Sequence, residues 1–105
     1  LEDLLAYPAV LPGNTTYTRG ILERAVRMRG LPLNIAMATN YLETLHMLVA
    51  TGLGWSLLPA TLLDRQVTCL QVDGVALSRQ LGVVTHRKRT LSNAATEMVR
   101  ACKAF

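Results

Sequence analysis

Between residues 41 and 59 an amphipathic run, Tyr41 to Thr51, meets Gly52 and Gly54, continues as the apolar Trp55-Ser56-Leu57-Leu58 and stops at Pro59. The order of these parts restricts the fold more than any other feature of the chain. Gly52 falls where a helix ends in the left-handed region, which only glycine enters without a Cβ penalty. Gly54 lets the chain reverse tightly, and Trp55 to Leu58 is expected as a short buried strand that Pro59 closes. A dinucleotide-binding fingerprint needs the opposite order: strand, glycines, then helix N-terminus. These glycines therefore turn the chain from helix into strand. They do not cradle a pyrophosphate.

The rest of the chain continues the alternation. Leu1 to Ala6 reads as the end of a helix, broken by Tyr7-Pro8, and Ala9-Val10-Leu11 as a buried strand ended by Pro12-Gly13. Thr16 to Arg29 is the next helix, with Asn14, Thr15 and Thr16 as possible caps and Gly30 past its end. Its apolar face comprises Tyr17, Ile21, Leu22, Ala25, Val26 and Met28, with Arg19, Glu23 and Arg27 turned away. Leu33 to Ala38 is the second strand. Asn40 is expected to cap the helix Tyr41 to Thr51, with Glu43 completing a capping box. After the third strand, Ala60 to Leu63 reads as a single helical turn. Val67 to Val72 and Leu81 to Thr85 read as further strands, set apart by an Asp73-Gly74 turn. Ser92 caps a last helix whose Ala95, Met98, Val99, Cys102 and Phe105 form an apolar stripe.

Strand, helix, strand, helix, strand implies βαβ units and a mostly parallel sheet flanked by helices, an α/β fold. In such a sheet ligands bind beyond the carboxyl ends of the strands. Two polar loops lie there, Pro12-Gly13-Asn14-Thr15-Thr16 and Thr39-Asn40-Tyr41. Each opens a helix whose first backbone N–H groups have no internal partner. Together they suit a small anionic or hydroxylated ligand.

Composition narrows the function. A chain of 105 residues is one domain at most, and its core must be aliphatic, since Trp55, Phe105, Tyr7, Tyr17 and Tyr41 are its only aromatic residues. The net charge of +4 invites a nucleic-acid reading. Its cations, however, collect at a helix C-terminus (Arg24, Arg27, Arg29) and in the turn His86-Arg87-Lys88-Arg89, without interleaved aromatics. Cys69 and Cys102 lack metal-site spacing and are expected as buried, reduced thiols, which suits a cytoplasmic protein. The apolar runs are too short to span a membrane, and no export signal is evident. Catalysis is not indicated. His46 sits at the edge of an apolar helical face as a packed histidine, and His86 is solvated. Ser56 lacks a nucleophile elbow, and Asp3, Asp64 and Asp73 are turn or cap residues. No metal or cofactor is expected.

The string from Tyr41 to Pro59, with Val49-Ala50-Thr51-Gly52-Leu53-Gly54 at its centre, resembles the effector-binding domain of LysR-type transcriptional regulators. Two further stretches carry the likeness, Leu81 to Ala95 with its basic turn and Leu91-Ser92-Asn93-Ala94-Ala95 helix start, and Leu4, Pro8 and Leu11-Pro12-Gly13. The pattern covers nearly the whole chain. Trp55 replaces the small aliphatic residue usual after the second glycine, and Asn93 stands where the family places Pro.

The resemblance implies a periplasmic-binding-protein-like (type II) lobe. Residues 1–6 would end lobe I at the hinge, 7–88 form the effector-binding lobe II, and 89–105 return through the hinge to lobe I. Effector contacts carry over to Thr39, Asn40 and Tyr41, with Asn14 and Thr15 in the neighbouring loop. The family dimerises side by side, which implies a homo-oligomer through the helix Thr16 to Arg29 and the strand Leu33 to Ala38. DNA would be met only by a winged helix-turn-helix outside these residues, and no membrane is involved. In the absence of lobe I, the uncovered faces and the Met98/Val99/Cys102/Phe105 stripe would drive self-association. The alternatives are a lobe of a periplasmic solute-binding protein and a flavodoxin-like enzyme domain. The sequence upstream would separate the LysR-type reading from the solute-binding one, by a winged helix-turn-helix or a cleavable signal peptide.

Overall fold

The computed structural model describes residues 1–104; Phe105, expected on the last apolar stripe, lies outside them. Along the chain run α1 (Glu2–Leu5), β1 (Ala9–Leu11), α2 (Tyr17–Arg27), β2 (Ile35–Ala38), α3 (Leu42–Ala50), a 3-10 turn (Ala60–Leu62) and α4 (Asn93–Lys103). β1 and β2 pair in parallel, with Ala9 opposite Ile35 and Leu11 opposite Ala38. The Ala9 N–H donates to Asn34 O at 2.8 Å and the Thr39 N–H to Leu11 O at 3.0 Å, so the ladder reaches past both strands. α2 therefore closes a βαβ unit, as the alternation predicts.

Local chemistry accounts for the helix ends. Thr16 caps α2 by accepting from the Arg19 N–H at 3.2 Å, and Ser92 caps α4 by accepting from the Ala95 N–H at 3.1 Å. At the end of α3 the Leu53 N–H returns to Leu48 O at 3.1 Å and the Gly52 N–H to Val49 O at 3.0 Å. Gly52 has φ +88°. This is a Schellman motif, and it needs the left-handed residue that the sequence places there.

The core forms around β1. Ala9 and Leu11 pack with Leu5, Leu22 and Val26, and Leu1, Leu31, Leu33, Trp55, Leu57 and Leu77 lean on this cluster. Val10 is also buried, and by strand alternation it faces the other side of the sheet, where α3 packs on β1 and Leu45 is fully buried. Each fully buried Leu or Val side chain contributes about 1.5–3 kcal/mol relative to exposure. Helices on both faces of a small parallel sheet make this an α/β domain of the kind expected. Its sheet is smaller than the sequence suggests.

Trp55 to Leu58 is not a full strand. Trp55 makes one parallel bridge to Ala9, its N–H donating to Pro8 O at 3.2 Å and its carbonyl accepting from the Val10 N–H at 2.9 Å. The segment is half-buried. Gly54 serves as a point of close approach, since a Cβ there would collide with the Pro8 carbonyl. Val67 to Val72 and Leu81 to Thr85 are not strands. A strand exists only where a neighbour accepts its N–H groups, and none runs beside them among the described residues. The turn between them does form, with Gly74 at φ +76°. β2 is exposed along its whole length, with Ile35 at 37% and Met37 at 49%, while Leu33, before the strand, is half-buried against the core.

The two thiols expected inside are both exposed, because Cys69 lies on the unpaired stretch and Cys102 on an uncovered helix. Arg19, expected to face solvent, is buried at 6%. The radius of gyration, 17.2 Å, exceeds the roughly 13 Å of a compact chain this long. The first 62 residues hold the core; the remainder is thinly attached.

Candidate functional site

β1 and β2 end side by side, so the loops that follow them meet. The Gly13 N–H donates to Asn40 Oδ1 at 2.9 Å. Asn40 is thus not the cap of α3. Tyr41 takes the N-cap position without a side-chain bond, and no capping box with Glu43 forms. The longer-range donor has taken the oxygen that local rules assign to the helix. Thr39 Oγ1 supplies a weak local substitute, accepting from the Tyr41 N–H at 3.4 Å.

On the neighbouring loop, Asn14 and Thr15 are exposed at the tip of a turn closed by Thr16, whose N–H and Oγ1 both donate to Gly13 O, at 3.0 and 2.7 Å. Tyr41 is 76% exposed, Asn40 is exposed and Thr39 half-buried. The two loops that carry all five residues anticipated from the sequence therefore meet in one rim at the carboxyl ends of β1 and β2. With Asn40 Oδ1 occupied, its Nδ2 and the first amides of α2 and α3 that the Thr16 cap does not use remain as hydrogen-bond donors. That set can receive carboxylate, phosphate or hydroxyl oxygens. It contains no nucleophile and no base.

Sequence reasoning missed Arg19. From beneath the rim its Nη1 donates to Pro12 O at 2.9 Å, and its Nε meets Glu23 Oε1 at 3.0 Å. The pairing with Glu23 four residues on was legible as a helix-face ion pair. The contact with Pro12 had no local signal.

Neither of two open concavities on the surface of the described residues is lined by the rim residues. One, of about 450 Å³, lies among His46, Met47, Ala50, Thr51 and Gln66; the other, of about 390 Å³, among Glu23, Val26, Arg27, Gly30, Leu31 and Leu33. At the first, the buried His46 Nε2 stands 3.0 Å from Asp64 Oδ2, off the line of a good hydrogen bond. The Gln66 N–H, at 2.8 Å from Asp64 Oδ1, is the main reason the Asp64 carboxyl lies below its ordinary value. Partial loss of hydration opposes that effect, and His46 adds to it. His46 is thus the packed histidine expected, with an acidic neighbour. No group of His, Cys, Asp and Glu among the described residues could hold a metal ion. No helix among them is long and apolar enough to cross a membrane.

A family model described as LysR substrate binding domain matches residues 1–105. No curated protein and no solved structure matches the chain.

Proposed function

The chain belongs to the LysR substrate binding domain family, whose members are regulatory and non-catalytic, and on that premise we propose that its rim grips a small effector. The bond from Gly13 to Asn40 carries this reading, because it joins two helix-opening loops into one donor-rich edge at the carboxyl ends of parallel strands. Thr39, Asn40 and Tyr41 contact the effector from one side and Asn14 and Thr15 from the other. The effector is small and bears a carboxylate or hydroxyl groups.

In this reading residues 7–88 act as lobe II, with 1–6 and 89–105 leading to a first lobe that supplies the opposite wall of the cleft. Effector binding changes the equilibrium between two arrangements of the lobes only through different affinity for each. The change reaches DNA through homo-oligomer geometry, with α2 and the exposed β2 as subunit contacts and a winged helix-turn-helix as the DNA reader. The whole works in the cytoplasm.

Thermal-shift screening of the complete protein against small carboxylates and amino acids tests the proposal. A ligand at about 100 times its Kd stabilises by roughly 2.7 kcal/mol, a readily measured shift. Asn40→Ala and Thr39→Ala should abolish the response. A response that survives both replacements would place the effector elsewhere. Self-association of residues 1–105 through their uncovered apolar faces is checked by light scattering; a mass equal to one chain at high concentration would remove it.

A further inference from the structure

The Pro12–Gly13 peptide unit is held at both of its polar ends. Its carbonyl accepts from Arg19 Nη1 at 2.9 Å, and its N–H donates to Asn40 Oδ1 at 2.9 Å. In a trans peptide these groups point in opposite directions, so a rotation of the plane breaks both bonds together. Arg19 is buried, and its guanidinium is aimed by the Nε bond to Glu23. The loop closes on the same residue, since the Arg19 N–H donates to Thr16 Oγ1 while Thr16 bonds to Gly13 O. Pro12, itself buried, has its own φ fixed by the ring, so the plane can turn only about Pro12 ψ and Gly13 φ.

We infer that Arg19 is a positioning residue of the effector rim: it sets the orientation of the Pro12–Gly13 peptide and, through the Gly13 N–H, which way the Asn40 amide presents its Nδ2. Arg19 need not touch the effector. The inference deepens the reading of this rim as the ligand site and rests on it for its functional meaning. The coupling itself is independent of any ligand. A planar fork is required, because one arm must reach a carbonyl while another is held by a carboxylate. Gly13 leaves no slack on the other side, since a Cβ there would lie 2.6 Å from Asn40 Oδ1.

The test compares amide hydrogen exchange and side-chain amide resonances of the full chain in the wild type, Arg19→Met, Arg19→Lys and Asn40→Ala. In Arg19→Met, exchange at Gly13 accelerates about tenfold or more and the Asn40 side-chain resonances move, while the Leu22 and Val26 amides stay within about threefold. Arg19→Lys recovers part of the Gly13 protection, because an ammonium can still donate to Pro12 O. Asn40→Ala frees the Gly13 N–H and leaves α2 protected. Unmoved Asn40 resonances with full Gly13 protection in Arg19→Met would overturn the inference. So would a loss of protection throughout α2 in step with Gly13, which marks Arg19 as a general prop of the helix. If Arg19→Met does not fold, Arg19→Lys decides by the same two readouts. No ligand enters these measurements, so their failure is distinct from a failure of the thermal-shift screen.

Discussion

α2 and α4 are built from the same local parts. Each has eleven residues, each starts under a hydroxyl cap, and each carries basic residues in its last turn. Yet α2 buries Arg19, Leu22 and Val26, whereas α4 buries nothing; Met98 is 66% exposed and only Ala95 and Val99 are partly covered. The difference lies in what each helix meets. α2 lies within a βαβ unit and packs Leu22 and Val26 with Ala9 and Leu11, while α4 follows a long unpaired segment and buries none of its residues. Amphipathicity specifies that a face must be covered. It does not supply the cover.

The largest expected effect tests that contrast directly. Leu22→Ala should cost about 2–5 kcal/mol in chemical denaturation, because the cavity opens inside packed surroundings. Val99→Ala in α4 should stay within about 0.5 kcal/mol. Equal losses would mean that α4 is packed after all.

Next come the caps. Ser92→Ala should remove about 1 kcal/mol from α4, and with no tertiary support this appears as lost helical circular dichroism without a shift of the cooperative transition. Thr16→Ala should instead move the transition itself, since Thr16 also bonds to the Gly13 carbonyl.

The smallest effect concerns the junction between the two regions. Asp64 has a folded-state pKa below its ordinary 3.8, so its contribution is fully present above that value and is lost as pH falls through the lower, folded one. Exchange at the Gln66 amide should therefore quicken in acid relative to the intrinsic rate. Asp64→Asn should remove that acid dependence.

The legible parts of the fold were those whose causes are local. The hydroxyl caps at Thr16 and Ser92, the Gly52 terminus and the Asp73-Gly74 turn each depend on neighbours a few residues away. The segments 67–72 and 81–85 have strand-like composition, but a ladder needs a second chain segment beside it. At the site, the loops were legible from the alternation alone, because parallel strands joined by helices put their carboxyl ends together. Asn40 lies at the carboxyl ends of the strands, as the alternation places it, but makes a different bond from the one expected. A capping rule considers the next three residues, and the competing donor was Gly13, across the sheet. Arg19 escaped for a related reason, since a charged residue on an apparent polar face reads as solvated until a loop folds over it.

The Gly13 bond to Asn40 also bears on how such a rim could change its preference. Aspartate at position 40 would keep an oxygen for the Gly13 N–H while exchanging the outward amide for negative charge. The architecture would survive while the charge of the edge changed sign. If the proposed effector site is this rim, its preference between acidic and basic ligands would turn on that single atom swap.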